Sequence, residues 1–164
     1  MKTIITIVLV FILGICLAQN DFPNKPGLAV YGELGGKGYL SINTDFSISG
    51  NSRLGFGLTY LDYDLDNPNN PEELDSETWL SPGIMYYHLK GRDNHYFELG
   101  LGISISPMPW KNYSKNDSAT SLHGCIGYRY QNPNGLLFRA GFTPFYRFNW
   151  AALPLGGISL GYSW

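Results

Sequence analysis

Cysteine is nearly missing from this sequence, and so are charge and long apolar runs. The two cysteines are Cys16 and Cys125. Cys16 lies in an N-terminal apolar run from Ile4 to Leu17, preceded by Lys2 and closed by the small residue Ala18. That is the layout of a secretory signal peptide. A lipoprotein site at Cys16 would want a small residue just before it, and Ile15 stands there. Cleavage after Ala18 leaves Cys125 alone, which excludes an intrachain disulfide and a cysteine-based metal site. Charged residues are only 15% of the chain, 11 basic against 13 acidic, and loss of Lys2 brings the net charge to about −3. There is no basic patch, so no nucleic-acid partner is expected. Phosphate loops and metal-ligand spacings are also missing, and no cofactor is expected. After residue 18 no apolar run approaches the about 18 residues of a membrane helix. A chain of this kind can cross a membrane only as a closed barrel.

What is present is glycine and aromatics: 20 Gly, 12 Tyr, 9 Phe and 4 Trp. They are arranged with period 2, the alternation of side chains along a strand. Leu54, Phe56, Leu58 and Tyr60 oppose Arg53, Gly55, Gly57 and Thr59. Phe97, Leu99, Leu101, Ile103 and Ile105 oppose Tyr96, Glu98, Gly100, Gly102, Ser104 and Ser106. Ser121, His123, Cys125, Gly127, Arg129 and Gln131 form the polar face of a third segment. Ser41, Asn43, Asp45 and Ser47 do the same against Leu40, Ile42, Phe46 and Ile48. A soluble barrel would put the larger apolar set inside. Here the other face is glycine, serine and charge, which suits a tight lumen and sends the apolar face towards lipid.

Turn signals divide the chain. Short ones fall at Ser49–Ser52, Gly91–Asn94 and Asn132–Gly135, and longer polar connections at Asp64–Ser76, Pro107–Ser118 and Phe148–Leu153. The two kinds alternate, as short periplasmic turns and longer outer loops do in outer-membrane barrels. After an exposed leader at residues 19–27, the expected strands are Leu28–Gly35, Tyr39–Ile48, Arg53–Tyr63, Glu77–Lys90, His95–Ser106, Ala119–Gln131, Leu136–Arg147 and Pro154–Trp164. The alternative joins Leu28–Ile48 into one long strand, but bacterial single-chain barrels have even strand numbers, which favours eight. The expected fold is an all-β, closed, antiparallel up-and-down transmembrane barrel over residues 28–164. Phe46, Phe56, Tyr86, Phe97, Tyr130, Phe138 and Trp164 lie near the short turns or the terminus, as an interfacial girdle would. Pro82 and Pro144 fall inside strands, where a bulge or an early loop is expected.

The inward positions carry Glu33, Asp45 and Glu98 against Arg53, Arg129 and Arg139, an expected ion-pair network that plugs the lumen. A gated proton or ion path is the functional alternative. His88 and His95 flank a short turn. His123 points inward near Ser121, and near Ser104 or Ser106, the one arrangement resembling a nucleophile and base, without an obvious carboxylate to orient it. Asp64, Asp66, Glu72, Glu73 and Asp75 form an acidic connection that is a weak candidate for a divalent cation. Trp110 and Trp150 fall in outer connections as interface anchors.

The chain closes on Ile158, Leu160, Tyr162 and Trp164 at every second position. These residues resemble the C-terminal signal read by outer-membrane assembly machinery. With Tyr31–Gly38, Phe97–Gly102, Gly127–Tyr130 and Leu137–Phe142, they make the chain similar to the small, mostly uncharacterised outer-membrane β-barrel proteins of Gram-negative bacteria. That resemblance implies an outer-membrane location and contact with membrane lipids and lipopolysaccharide; it assigns no reaction. Three functions follow as expectations: a non-enzymatic barrel that presents loops or stabilises the envelope, a lipid-modifying enzyme using His123, and a narrow channel. A soluble lipocalin-like carrier is the structural rival.

Overall fold

The computed structural model describes residues 27–36, 40–66, 74–107, 118–147 and 151–164; for 61–66, 74–79, 106–107, 118–119, 147 and 151 it describes the backbone alone. Eight strands run in order: β1 (Leu28–Gly35), β2 (Leu40–Ser49), β3 (Ser52–Asp66), β4 (Leu74–Arg92), β5 (His95–Pro107), β6 (Ser118–Gln131), β7 (Gly135–Arg147) and β8 (Ala151–Ser163). Each pairs antiparallel with its neighbours, and β8 pairs with β1 to close the barrel. Leu28–Ile48 is therefore a hairpin and not one strand.

The turns follow their residues. Asp93 and Asn94 both have positive φ, 53° and 69°, as a two-residue type I′ hairpin requires. At the opposite end of the barrel Gly35 and Gly36 have φ of 72° and 70° and turn β1 over. The Gly36 amide then donates to the Gly156 carbonyl at 2.9 Å.

The registers define the barrel's shape. Crossing them from Tyr31 to Asn43, Gly57, Gly83, Ser104, Ser121, Arg147 and Ala151, and back to β1 on the β8 register, arrives level with position 41. The stagger for one circuit is thus 10 residues, 41 less 31. Spread over eight strands about 4.8 Å apart, this tilts the strands by about 40°. The interior of such a barrel is just wide enough for side chains to fill.

Burial follows the alternation. Tyr31, Glu33, Ser41, Asn43, Asp45, Tyr87, Glu98, Arg129 and Arg139 are buried inside, while Ile42, Leu101 and Leu160 are 65%, 63% and 62% exposed on the wall. A large ring fits inside because glycine faces it. A Cβ at Gly55 or at Gly100 would lie 2.8 Å from the Tyr87 ring.

Several boundaries and one class of feature differ from expectation. β3 and β4 reach further than the alternation alone indicated, so Asp64 and Asp66 lie on β3 and Asp75 on β4, with Asp64 paired to Ser76 and Leu65 to Asp75. Glu72, Glu73, Trp110 and Trp150 lie outside the described residues. Pro82 and Pro144 make no bulge: Pro82 pairs with Leu58 and Pro144 with Pro154 in unbroken register. A residue in an antiparallel strand directs its N–H and C=O to one neighbour only, so a proline disturbs one ladder and spares the other. The disturbed sides are visible. Described β4–β5 pairs begin at Gly83↔Ser104, and the β6–β7 ladder passes from His123↔Phe145 to Ile126↔Phe142 without a pair between them. Phe46 is also buried, stacked on Phe56 at 6.1 Å, and does not join the exposed girdle.

The β1–β8 seam generates a test. A Cβ at the inward-facing Gly161 would collide with the Val30 carbonyl and the Tyr31 backbone, whereas one at Gly32 on the outer wall meets nothing within 4 Å. Gly161→Ala should destabilise the folded barrel by about 1–3 kcal/mol, and Gly32→Ala should not, measured by urea unfolding of the purified protein.

Candidate functional site

The inward charges lie in one layer near the short-turn end. β2 presents Asp45 and β3 presents Arg53, two strands joined by the Ser49–Ser52 turn. The Arg53 Nε donates to Asp45 Oδ1 at 2.5 Å. β6 sends Arg129 across the lumen, where its Nη1 and Nη2 donate to Asp45 Oδ2 and Oδ1, each at 2.9 Å. Two parallel N–H···O bonds of this kind use the planar fork of arginine. The same Nη1 donates to Glu98 Oε2 on β5 at 3.0 Å, and Nε donates to Gln131 Oε1 at 2.8 Å. Glu98 in turn accepts from Arg139 on β7, through Nε at 3.0 Å and through Nη2. Arg139 Nη1 ends the series 3.6 Å from Glu33 Oε2 on β1. Six charges thus alternate in sign: Arg53, Asp45, Arg129, Glu98, Arg139, Glu33. Arg129 and Asp45 have no solvent-exposed side-chain surface.

Two tyrosines complete the layer. The Arg139 guanidinium carbon lies 4.6 Å from the Tyr31 ring centre and 4.9 Å from that of Tyr87. The two hydroxyl oxygens are 3.3 Å apart. A guanidinium held over aromatic faces gains cation–π attraction, which grows when the pair is desolvated. Cys125, the free cysteine among the described residues, sits here as well and donates from Sγ to Glu98 Oε1 at 3.2 Å. The remaining space beside Glu33, Glu98, Cys125, Arg139, Thr143 and Ser159 is about 10 Å³, about one water molecule. This layer holds itself; it leaves no room for an organic ligand.

The second candidate lies further towards the long-connection end. His123 Nε2 and Ser104 Oγ are 2.5 Å apart, across the Gly102↔His123 and Ser104↔Ser121 pairs. Ser121 is fully buried and no bond joins it to His123. The imidazole packs edge-on against Phe145 at 4.9 Å and is 3% exposed. A catalytic Ser–His pair needs an open nucleophile and a group that orients the base. Here both members are buried.

Among the described residues no group of three or more His, Cys, Asp or Glu side chains is placed to hold a metal ion. At the closing strand Ile158, Leu160, Tyr162 and Trp164 are all exposed on the outer wall, with Tyr162 edge-on to Trp164 at 5.0 Å. The Trp164 amide donates to the Leu28 carbonyl at 2.9 Å, tying the last residue to the first strand. Comparison of the chain with protein-family models, with curated proteins and with solved structures finds no match, so no relative carries a function over to these residues.

Tyr31, Tyr87 and Gln131 belong to the layer and are not apparent as such in the sequence. Tyr31 shares its face with Glu33 at spacing 2, the one local signal. Tyr87 has none, because around it Met85 and Leu89 on the inner face of β4 are as apolar as Ile84 and Tyr86 on the outer face.

The network predicts a large cost for removing its centre. Arg129→Met leaves Asp45 and Glu98 facing each other without their shared cation, and should cost about 3–5 kcal/mol, read as a shift in the urea midpoint of the folded band.

Proposed function

We propose that the protein is a non-enzymatic integral β-barrel of an outer membrane, its lumen plugged by the ion-pair layer, which presents its longer connections at one surface or stabilises the envelope. The observation that carries this reading is the wall. Leu99, Leu101, Ile103 and Ile105 on β5, Ile42 on β2, Ile126 on β6 and Ile158 and Leu160 on β8 are each more than two-fifths exposed. A water-soluble protein seldom exposes contiguous apolar surface of this extent. Along β5 the exposed series from Phe97 to Ile105 covers about 20 Å of the barrel axis once the strand tilt is allowed for. Outer-membrane barrels carry an apolar band about 25 Å tall. A closed barrel also leaves no strand edge to face hydrocarbon, which is the condition for a sheet to enter a bilayer.

The outer membrane is favoured over other membranes by the resemblance of Ile158, Leu160, Tyr162 and Trp164 to an assembly signal, and by the expected signal peptide that ends near Ala18. On this reading the partners are membrane lipids and lipopolysaccharide, with the assembly machinery during biogenesis. The rival enzyme reading has one observation in its favour, the short His123–Ser104 contact. The burial of both side chains opposes it, because a lipid substrate has to reach the oxygen that attacks it. The channel reading meets a similar objection from the fully buried Arg129–Asp45 pair across the lumen.

Membrane fractionation with an alkaline wash, followed by gel electrophoresis with and without boiling, tests the proposal. The expected result is a wash-resistant outer-membrane band whose mobility shifts on boiling. A band released into the soluble fraction would mean that the apolar wall is covered by something other than lipid.

A further inference from the structure

Among the described residues the outer wall is mostly apolar, and its ionisable exceptions lie in one place. Among the described outward-facing residues, the ionisable side chains other than tyrosine are His88, Lys90 and Arg92 on β4 and His95 on β5. All four are exposed, and all lie at the short-turn end of a single hairpin. Arg92 pairs with His95 and Lys90 with Phe97, and the next pairs in the same rows are His95↔Tyr130 and Phe97↔Tyr128. At the same end, the other strands show Ile48, Leu136, Phe138, Tyr162 and Trp164. Anchoring of a barrel at the interface alone would place its polar groups all round the circumference. These ionisable groups occupy one corner.

We infer that this corner is a binding site for the phosphate of an anionic lipid headgroup, held by Lys90, Arg92, His88 and His95 against the rings of Phe97 and Tyr128. The inference rests on the membrane reading above and goes beyond it by naming a lipid class and its place on the wall. Charge complementarity selects the occupant. Lys90 lies in the lipid-facing wall, and among the described residues no carboxylate is within ion-pair distance of it. The one acid close by, Asp93 in the turn, meets Arg92 only at 3.9 Å, with both side chains almost fully in solvent. An uncompensated cation at the edge of the hydrocarbon is costly. A long lysine stem can follow the apolar wall and bring its ammonium to headgroup level, where a phosphate supplies the missing charge.

The histidine in the site is already oriented. His95 Nδ1 lies 2.6 Å from the Tyr128 hydroxyl oxygen, and its ring packs edge-on to Tyr130 at 5.2 Å. A neutral imidazole that accepts from Tyr128 at Nδ1 carries its proton on Nε2, and a protonated one donates from both nitrogens. A phosphate oxygen at Nε2 selects a form with its proton there, with the Tyr128 hydroxyl held at Nδ1. Beside the site, the hydroxyls of Tyr86 on β4 and Ser52 on β3 bond to each other at 2.7 Å, which occupies those two groups and leaves the nitrogens as the anion's partners.

Native mass spectrometry of the full chain, extracted from bilayers of equal parts phosphatidylglycerol and phosphatidylcholine, tests the site. Retained lipid should be enriched in phosphatidylglycerol. Lys90→Gln and Arg92→Gln should each lower that enrichment by about fivefold, while Lys90→Arg keeps it. No enrichment in the parent chain, or enrichment unchanged in the Lys90→Gln/Arg92→Gln chain, would overturn the site while a boiling-sensitive folded band shows the barrel intact. Failure of the parent chain to give that band would overturn the membrane reading and this inference together.

Discussion

Asp45 and Glu98 are carboxylates buried inside the barrel, and each has to meet cations there. An isolated buried charge is costly, and removing one member of a buried pair strands the other. The chain meets this condition by connecting strands that are distant in sequence. Arg129 on β6 reaches Asp45 on β2, and Arg139 on β7 reaches Glu98 on β5 and approaches Glu33 on β1. Five of the eight strands are tied by these contacts, with β3 added through Arg53. The layer joins strands that face each other across the lumen, which hydrogen bonds between adjacent strands do not do directly.

The wall depends on the same inversion. Because charge and small residues occupy the interior, every large aliphatic side chain on the other face is left outside. Glycine at the inward positions is the complement of that arrangement: Gly55 and Gly100 admit Tyr87, and Tyr87 with Tyr31 encloses Arg139. Function, on this account, belongs to the surfaces. The lumen supplies rigidity, the wall supplies the contact with lipid that the membrane proposal requires, and the β4–β5 hairpin gives that wall a charged corner.

Much of this was legible in the residues because a period of 2 is a strong signal where one face is charged or tiny and the other aliphatic. Leu28–Gly35 is the observed β1 to the residue, and the six inward charges all lie in one buried layer. The legible part stops where both faces are alike. β4 carries Met85, Tyr87 and Leu89 inside and Ile84 and Tyr86 outside, so nothing in its pattern identifies Tyr87 as a partner of Arg139. The acidic segment after Tyr63 reads as a loop by composition, yet pairing with β4 continues to Asp66↔Leu74; cross-strand hydrogen bonds prevail there over side-chain type. Proline was a misleading signal for the same reason. Pro82 and Pro144 each lose a donor on one side only, and the ladder on the other side carries the strand through.

The central claim is that the barrel is inside-out relative to a soluble one, with ion pairs within and hydrocarbon outside. The most direct measurement is the collision rate of nitroxide labels placed singly at Leu101, Ile126 and Ile158, in a Cys125→Ser background, with oxygen and with a water-soluble nickel chelate. In reconstituted bilayers the account predicts that oxygen collisions exceed those with nickel at all three sites, on β5, β6 and β8. Labels that meet nickel more often than oxygen would place the wall in water and contradict the account.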